Sequence, residues 1–394
     1  MKVLMYCQHV LGIGHMVRST EVARAVAREA DVTFISGGAP VDGFPFPPSV
    51  TLVQLPAIQT DQEFGSLDSC ESSHTLEEVQ GLRREQVLDL FARIRPDVLV
   101  IELFPFGRKR FAFELIPLLE RARKPDAGTL VVCSLRDILV EKSDQARHEE
   151  RVCRIVNTYF HLILVHGDPD FQKLGGTFHR VEDLRCEIRY TGFVQQEQPV
   201  LTNQWPSSEP SIVASIGSGR YRQGQLLLES TIGAAAILKQ ELPHCFRIFA
   251  GPFIPEDVWE HLTRLAHHVT NVQIKKYSPE FPGFLKHADL SISMGGYNTM
   301  MNILATRIRS LVYPYTANDD QEQQIRARRL ESLGVVELLH PNLLAPEILA
   351  RKIAAILAKE PTKQQFDMDG AANTARILLG AVSSRRNSVN EVGG

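Results

Sequence analysis

Three apolar strand-like runs, each followed by a glycine-rich loop, constrain the fold of this chain most. Residues 3–6 lead into Gly12-Ile13-Gly14-His15, residues 211–216 into Gly217-Ser218-Gly219-Arg220, and residues 288–293 into Gly295-Gly296-Tyr297-Asn298-Thr299. Glycine lets backbone amides approach an anion closely, and a helix N-terminus favours negative charge. Because two of the loops open successive halves of the chain, the sequence predicts two α/β domains that face one cleft and hold a nucleotide-diphosphate ligand.

Bulk properties exclude several classes of protein. The 394 residues suit two domains, and a net charge of −3 gives no electrostatic basis for binding nucleic acid, so we expect no such partner. Six cysteines are scattered without a C-x-x-C pair, which favours reduced thiols in a cytoplasmic protein over a disulfide framework or a zinc site. We expect no signal peptide, and no apolar run reaches the length of a transmembrane segment.

The alternation of strands and helices predicts a parallel sheet covered on both faces in each half. We place an N-terminal domain at 1–193, a linker at 194–210, a C-terminal domain at 211–383 and a flexible tail at 384–394. The linker is polar and carries Pro199, Pro206 and Pro210. A capping box of Thr75 and Glu78 predicts a helix that ends before Pro96, whereas residues 36–74 read as irregular loops.

The first glycine loop carries the motif Gly12-x-Gly14-His15-x-x-Arg18. Ligands of open α/β sheets bind beyond the carboxyl ends of strands, where this loop must lie, and a histidine there can act as a general base. The alternative is a capping or hydrogen-bonding histidine. The loop lacks the dinucleotide fingerprint because Val17 occupies the third glycine position, so a dinucleotide-dependent oxidoreductase fits worst.

Two carboxylates follow other predicted strands of the first half. Glu102 comes after the strand 97–101, and Asp137 after the strand that ends near Ser134, so both point toward the same crevice. Each could orient His15, bind an acceptor hydroxyl or serve as the base itself. The alternative for both is an ordinary loop residue in a salt bridge.

The second half carries the candidate ligand-binding residues. Loop amides and the Arg220 guanidinium could hold phosphate, and two glycines with a hydroxyl at a helix N-terminus suit a diphosphate. The acidic and glutamine-rich run that follows could pair with sugar hydroxyls, although such a run is more often a solvated helix start. These candidates are Gly217, Ser218, Gly219, Arg220, Gly295, Gly296, Asn298, Thr299, Glu322 and Gln323. Asp168-Pro169-Asp170 reads as a turn rather than a metal site.

With these motifs in order, nearly the whole chain resembles the glycosyltransferases of the GT-B fold. It is similar in pattern to the N-acetylglucosaminyltransferases that form lipid II in peptidoglycan synthesis, and to a bacterial glycosyltransferase group with Gly-x-Gly-His-x-x-Arg at the start. The resemblance implies two Rossmann-like doubly wound domains facing a central cleft. It also draws on Tyr190-Thr191-Gly192-Phe193-Val194 and on Ala327-Arg328-Arg329-Leu330-Glu331.

The resemblance also implies roles for individual residues. Gly295, Gly296 and Thr299 would contact the diphosphate of a UDP-sugar, with UDP-N-acetylglucosamine as the first candidate. Glu322 and Gln323 would meet the sugar hydroxyls, Phe281 would border the base, and His15 would lie beside the anomeric carbon. Asn302 departs from the family, which carries a ribose-binding glutamate there, and an amide offers one acceptor atom instead of two.

The implied activity is inverting, metal-independent transfer of the sugar to a hydroxyl acceptor, with the nucleotide-sugar as co-substrate and no further cofactor. A nucleotide-sugar hydrolase or epimerase of the same fold, and a non-catalytic nucleotide-sugar-binding protein, are the alternatives. A lipid-linked acceptor is one option, because basic residues 108–110 precede an apolar run. A buried helix explains that run better. Its apolar residues are Phe111, Phe113, Leu115, Ile116 and Leu118.

Overall fold

The computed structural model describes residues 1–9, 13–41, 43–60, 67–69, 74–197, 210–219, 222–315 and 321–392. The chain divides into two compact units. The first unit comprises Met1–Gln195 together with Asp367–Gly394, and the second comprises Gln196–Phe366. The division differs from the sequence-based one, which gave 367–383 to the C-terminal domain and 384–394 to a flexible tail.

The first unit is built on a seven-stranded sheet in the order β3-β2-β1-β6-β7-β8-β9, and every neighbouring pair is parallel. Its strands are β1 (Lys2–Cys7), β2 (Asp31–Ser36), β3 (Val50–Gln54), β6 (Val98–Glu102), β7 (Leu130–Arg136), β8 (Leu162–His166) and β9 (Glu187–Tyr190). A separate antiparallel pair joins β4 (Ile58–Thr60) and β5 (Leu67–Ser69). β3, β4 and β5 correct the prediction of irregular structure over 36–74. As an edge strand, β3 is largely exposed and lacks the apolar run of a buried strand.

Helices cover both faces of this sheet. The helices of the unit are α1 (Gly14–Val26), α2 (Leu76–Ile94), α3 (Ala112–Ala122), α4 (Gln145–Tyr159) and α11 (Gly370–Val392). Alternate strand residues such as Leu4, Ile101 and Val165 form one core with α2, α3 and α4. The intervening residues, among them Met5 and Val100, form a second core with α1 and α11. The predicted doubly covered parallel sheet is therefore present in this unit.

Helix α11 joins the first unit because its apolar stripe completes that second core. Ala375, Leu378 and Val382 lie at helical spacing and pack beside α1. The entry to the helix is also fixed, since the Gly370 amide donates to the Phe193 carbonyl over 3.0 Å. The sequence reveals the stripe but not the sheet that it covers.

The predicted capping box at the start of α2 is confirmed. The Glu78 amide donates to the Thr75 hydroxyl, and the Glu78 carboxylate accepts from the Thr75 amide at 2.8 Å. The same helix carries Arg83, which is fully buried against Glu114 of α3 at 2.6 Å. The Arg83 guanidinium also donates to the Gln8 side chain and to two backbone carbonyls, so this buried charge is well satisfied.

The second unit repeats the arrangement with a six-stranded parallel sheet in the order β12-β11-β10-β13-β14-β15. Its strands are β10 (Ser211–Ser215), β11 (Cys245–Phe249), β12 (Val272–Lys275), β13 (Leu290–Met294), β14 (Arg309–Tyr313) and β15 (Glu337–Leu338). Its helices are α5 (Arg222–Leu238), α6 (Glu256–His267), α7 (Phe281–His287), α8 (Tyr297–Thr306), α9 (Glu322–Ser332) and α10 (Pro346–Leu357). The main core lies between the sheet and α5, α6 and α10.

Candidate functional site

The first candidate site lies where the strand order of the first unit reverses, between β1 and β6. Such a switch point leaves a crevice at the carboxyl edge of a parallel sheet, which is where ligands bind in open α/β folds. The chain leaves β1 and enters α1, whose second residue is His15, and β6 ends at Glu102. Neighbouring parallel strands therefore bring together two of the predicted catalytic residues, although they are 87 positions apart in sequence.

His15 and Glu102 form a hydrogen-bonded pair. His15 Nδ1 lies 2.6 Å from Glu102 Oε1, and the same oxygen accepts from Arg18 Nη2 at 2.5 Å. The carboxylate and the guanidinium are each only 2% exposed, whereas His15 is 19% exposed. An ionised carboxylate only accepts hydrogen bonds, so Nδ1 carries the proton and Nε2 keeps its lone pair. The arrangement presents a proton acceptor to the crevice.

Burial favours the neutral imidazole at this site. Burial lowers the pKa of His15 to about 4, against the opposing effect of the Glu102 carboxylate. Burial raises the pKa of Glu102, but His15, Arg18 and Arg108 outweigh it and hold that pKa at about 2. At neutral pH the pair is therefore a carboxylate and a neutral imidazole, which is the state a general base requires.

The structure distinguishes the three catalytic candidates by exposure. Glu102 is buried, and its carboxylate is hydrogen-bonded to His15 Nδ1. Asp137, after β7, is also buried. Gly167 packs closely on it, because a Cβ added to Gly167 would lie 2.7 Å from the Asp137 Cβ. Arg18, predicted to bind substrate, is turned onto Glu102 instead. Only His15 keeps an exposed face.

Two buried histidines near this site were missed by the sequence reasoning. His9, just after β1, is 4% exposed, and burial lowers its pKa to about 4. His166 ends β8 and lies between the hydroxyls of Ser134 and Thr191, at 2.7 and 2.9 Å. Burial lowers the pKa of His166 to about 3, and the nearby Arg18 adds to the effect. The signal was available, because each histidine comes within two positions of the end of an apolar run, 3–7 for His9 and 162–165 for His166.

The second candidate site lies at the corresponding reversal in the second unit, between β10 and β13. These strands are hydrogen-bonded neighbours, so the loops after them leave the same edge of the sheet. Gly217 and Gly219 have φ of +68° and +86°, in the left-handed region that favours glycine. A Cβ on Gly219 would lie 2.5 Å from the Ala250 carbonyl oxygen, so this loop packs directly on the backbone after β11. Ser218 lies between the two glycines and is half-buried.

The loop after β13 ends in an uncapped helix N-terminus. Gly296 is the N-cap of α8 and makes no side-chain cap, and Asn298 and Thr299 follow in the first turn, both half-buried. The first amides of a helix have no partner within the helix and carry the positive end of its dipole. Space is open at Gly296, where an added Cβ would meet nothing within 4 Å. This is the geometry of an anion site.

The glutamine element predicted to meet the sugar lies beside this loop. A Cβ on Gly295 would lie 3.4 Å from Gln323, whose side-chain oxygen accepts from the Tyr315 amide at 3.1 Å. Glu322 behaves differently from the prediction. It is buried and accepts from Arg326 one helical turn later at 2.9 Å. The i, i+4 spacing could have signalled that pair.

Two further predicted residues have defined neighbours. Asn302 is 3% exposed in α8, and its amide donates to the Gln196 side chain at 3.0 Å. One of its hydrogen-bonding atoms is thus used inside the second unit. Phe281 begins α7 and packs edge-on against Phe249, with ring centroids 5.2 Å apart.

The remaining predicted residues lie at the following positions. Gly12 and Arg220 lie outside the described residues, and Gly14 is the first residue of α1. Asp168 accepts from the Asp170 amide at 2.8 Å, which confirms a turn at that pair. In the part of the chain that the structure describes, no group of three or more His, Cys, Asp or Glu side chains could hold a metal ion.

The apolar run after residues 108–110 is part of the core, as the buried-helix interpretation predicts. Phe111, Leu115 and Leu118 are buried, and Phe113 and Ile116 pack against the same cluster. Over the described ranges, we find no helix with both the length and the apolar character needed to cross a bilayer.

Sequence comparison finds similarity to glycosyltransferases. Residues 247–380 match the model of the glycosyltransferase family 28 C-terminal domain. An N-acetylmuramyl-(pentapeptide) pyrophosphoryl-undecaprenol N-acetylglucosamine transferase from Prochlorococcus marinus is 23% identical over 49% of this chain and 52% of its own length. The transferase of that name from Thermodesulfovibrio yellowstonii is 36% identical over 22% of this chain and 23% of its own. The alignments thus span about half, or less, of these curated relatives.

Structural comparison covers the whole chain. The calicheamicin glycosyltransferase matches over 99% of this chain and 97% of its own, with a TM-score of 0.56 at 14% identity. The transferase MurG of Acinetobacter baumannii matches over 98% of this chain and 99% of its own, with a TM-score of 0.52 at 14% identity. The fold is therefore the two-domain GT-B fold of glycosyltransferases. Within that fold, the sequence resembles the N-acetylglucosaminyltransferases named above.

Proposed function

We propose that this protein transfers a sugar from a nucleoside-diphosphate sugar to a hydroxyl acceptor, with inversion at the anomeric carbon. The observation that carries the proposal is the His15–Glu102 pair at 2.6 Å, at the switch point of the first unit. Its neutral imidazole, oriented by a buried carboxylate, is suited to remove a proton from an attacking hydroxyl.

The proposed reaction is a single displacement. The acceptor hydroxyl gives its proton to His15 Nε2 while its oxygen forms a bond to the anomeric carbon. The bond from that carbon to the diphosphate oxygen breaks on the opposite face, which inverts the configuration. The departing diphosphate is stabilised by the amides at the start of α8, where Gly295 and Gly296 allow close approach. Because this N-terminus supplies the positive charge, we propose that transfer needs no divalent cation.

We propose a UDP-sugar as donor, with UDP-N-acetylglucosamine as the first to test. The names of the curated relatives support this choice, since they are N-acetylglucosamine transferases. Gln323 lies beside Gly295, where it would meet the sugar of any donor whose diphosphate binds at the start of α8. The same names describe a lipid-linked pyrophosphoryl acceptor, which we propose as the first acceptor class to test.

Donor binding is tested by calorimetric titration of UDP, GDP, CDP and TDP into the whole protein, with and without magnesium. We expect selective binding of UDP that magnesium does not change. Gly296→Ala should weaken it about tenfold or more, because the methyl group occupies the open space at the N-terminus of α8. Gly81→Ala is the matched control, since Gly81 in α2 also has open space around it. The Gly81→Ala protein should bind UDP as the wild type does.

The outcomes separate the alternatives. Absence of binding by all four nucleotides would overturn the donor-site assignment. A nucleotide-sugar hydrolase would release UDP rapidly from UDP-N-acetylglucosamine without acceptor, whereas the proposed transferase releases it slowly until acceptor is added. A protein that binds UDP but neither hydrolyses nor transfers the sugar would be a binding protein.

A further inference from the structure

Arg18 faces the site from the same side of α1 as His15. The two residues are three positions apart, so their side chains lie on one face of the helix. Both reach the same oxygen of Glu102, His15 through Nδ1 and Arg18 through Nη2. With 2% of its side chain exposed, Arg18 offers almost no surface to a substrate.

The ionisation state of Glu102 determines what His15 can do. An ionised Glu102 accepts the Nδ1 proton and leaves Nε2 free to take a proton from a hydroxyl. A protonated Glu102 could instead donate to Nδ1, which would put the ring proton on Nε2 and remove the base. A buried carboxylate without a cation tends toward the protonated form. A neutral imidazole donates a hydrogen bond to that carboxylate but carries no charge, so at neutral pH the positive charge comes from Arg18 and Arg108.

Arg18 is the cation in direct contact with that carboxylate. Further titratable groups lie around the pair. They come from β1 and the residues after it, from the loop after β6, and from β7 and β8, and they are Cys7, His9, Arg108, Arg136 and His166. Arg108 donates to the Gln8 carbonyl over 2.7 Å, and no described contact joins it to Glu102. The position of Glu102 is itself fixed, because it pairs with Ser134 across β6 and β7.

We propose that Arg18 is a positioning residue that keeps Glu102 ionised and thereby holds His15 in the tautomer with the proton on Nδ1. The inference rests on the proposed function for its catalytic meaning, but the tautomer itself is a property of the protein alone. In this role Arg18 does not contact the substrate, and it acts on His15 only through Glu102.

The test compares Arg18→Met, which removes the charge, with Arg18→Lys, which keeps it. In full-length protein labelled with ¹⁵N-histidine, the His15 signals are assigned with a His15→Asn variant. At pH 7.5 the wild type should show a protonated Nδ1 and a bare Nε2. On titration toward acid, Arg18→Met should take up a proton at the pair and lose the bare Nε2 at a higher pH than the wild type, and Arg18→Lys should restore most of the wild-type profile. Wild-type His15 signals in a folded Arg18→Met protein would overturn the proposal.

Kinetics supply a second, independent readout. Arg18→Met should lower kcat about 10- to 100-fold with little change in the donor KM, and should move the acid limb of the pH profile to higher pH. The limb moves upward because loss of the cation makes both Glu102 and His15 easier to protonate. In a Glu102→Gln background, Arg18→Met should lower kcat less than twofold. Equal losses of kcat in both backgrounds would contradict action through Glu102.

The role of Arg18 can still be tested if Arg18→Met does not fold or if the wild type transfers no sugar. If Arg18→Met fails to fold, Arg18→Gln decides, since it also removes the charge, and a wild-type tautomer and acid limb in that variant would overturn the proposal. If the tautomers behave as expected but the wild type transfers no sugar, the proposed function fails and the role of Arg18 stands.

Discussion

His166 shows how a single buried residue links the site to the pH dependence of stability. Its ring is fully buried between two hydroxyls, and burial lowers its pKa to about 3. A histidine whose pKa falls on folding stabilises the protein above its unfolded pKa of about 6.5. That contribution is lost as the pH falls, because the unfolded chain takes up the proton first. His9 and His15 add to the loss in the same direction.

We therefore predict that the free energy of unfolding of the first unit falls between pH 8 and pH 5, with about 2 kcal/mol of the loss due to His166. His166→Gln, which keeps a donor and an acceptor, should show a loss smaller by about that amount. Urea unfolding at pH 8, 6.5 and 5 measures it, with the exposed His267→Gln as the control. An unchanged loss in His166→Gln would show that this ring does not titrate on unfolding.

Residue roles were predicted from the sequence only in part. The position of Glu102 after a buried strand correctly placed it beside His15, because parallel strands end at a common edge. The sequence could not assign roles among His15, Glu102 and Asp137, since those depend on which side chain remains exposed. Arg18 and Glu322 were assigned to ligands, whereas burial pairs them with Glu102 and Arg326.

At the scale of elements, α2 and α3 are joined by a buried ion pair that the sequence did not reveal. Arg83 and Glu114 are both fully buried, 31 positions apart, and the Arg83 side chain also bonds to Gln8 just after β1. Removing one partner of such a pair leaves an uncompensated buried charge.

Arg83→Met should therefore lower the free energy of unfolding by about 3–5 kcal/mol. Arg93 in the same helix is the matched control. Its pair with Asp89 is about two-thirds exposed on both sides, so Arg93→Met should cost less than about 1 kcal/mol. Chemical denaturation of both variants decides the matter, and equal effects would contradict the buried-charge explanation.

Elements with a local signature were predictable, and those defined by distant partners were not. The capping box fixed the start of α2, and apolar runs located β1, β6, β10 and β13 within a residue or two. β3 was missed because an exposed edge strand has no apolar run, and its pairing with β2 is a tertiary contact.

At the scale of the whole molecule, the chain returns to its first unit after completing the second. The sequence predicted two parallel-sheet domains and a boundary near 194–210, but it gave the last helix to the wrong unit. An amphipathic stripe shows that a helix is covered without showing by which sheet. In α11 the stripe is covered by the first unit, and Leu378 is fully buried there.

Leu378→Ala should therefore destabilise the first unit by about 2–5 kcal/mol. Leu82 in α2 belongs to the same unit but is 45% exposed, so Leu82→Ala should change stability little. Thermal unfolding, with hydrogen exchange of β1 and β6 as the local readout, measures both. Loss of protection in β10 and β13 instead would place α11 with the second unit.

The central claim is that His15 is the base of a nucleotide-sugar-dependent transferase. The most direct measurement is the amount of labelled product formed from radiolabelled UDP-N-acetylglucosamine. The protein is incubated with this donor and, separately, with lipid and with aqueous acceptor pools from bacterial extract. The account predicts labelled product with the wild type, insensitive to EDTA, and at least about 100-fold less with His15→Ala, while His267→Ala matches the wild type. Product formation by His15→Ala at the wild-type rate, or none by the wild type with either pool, would contradict it.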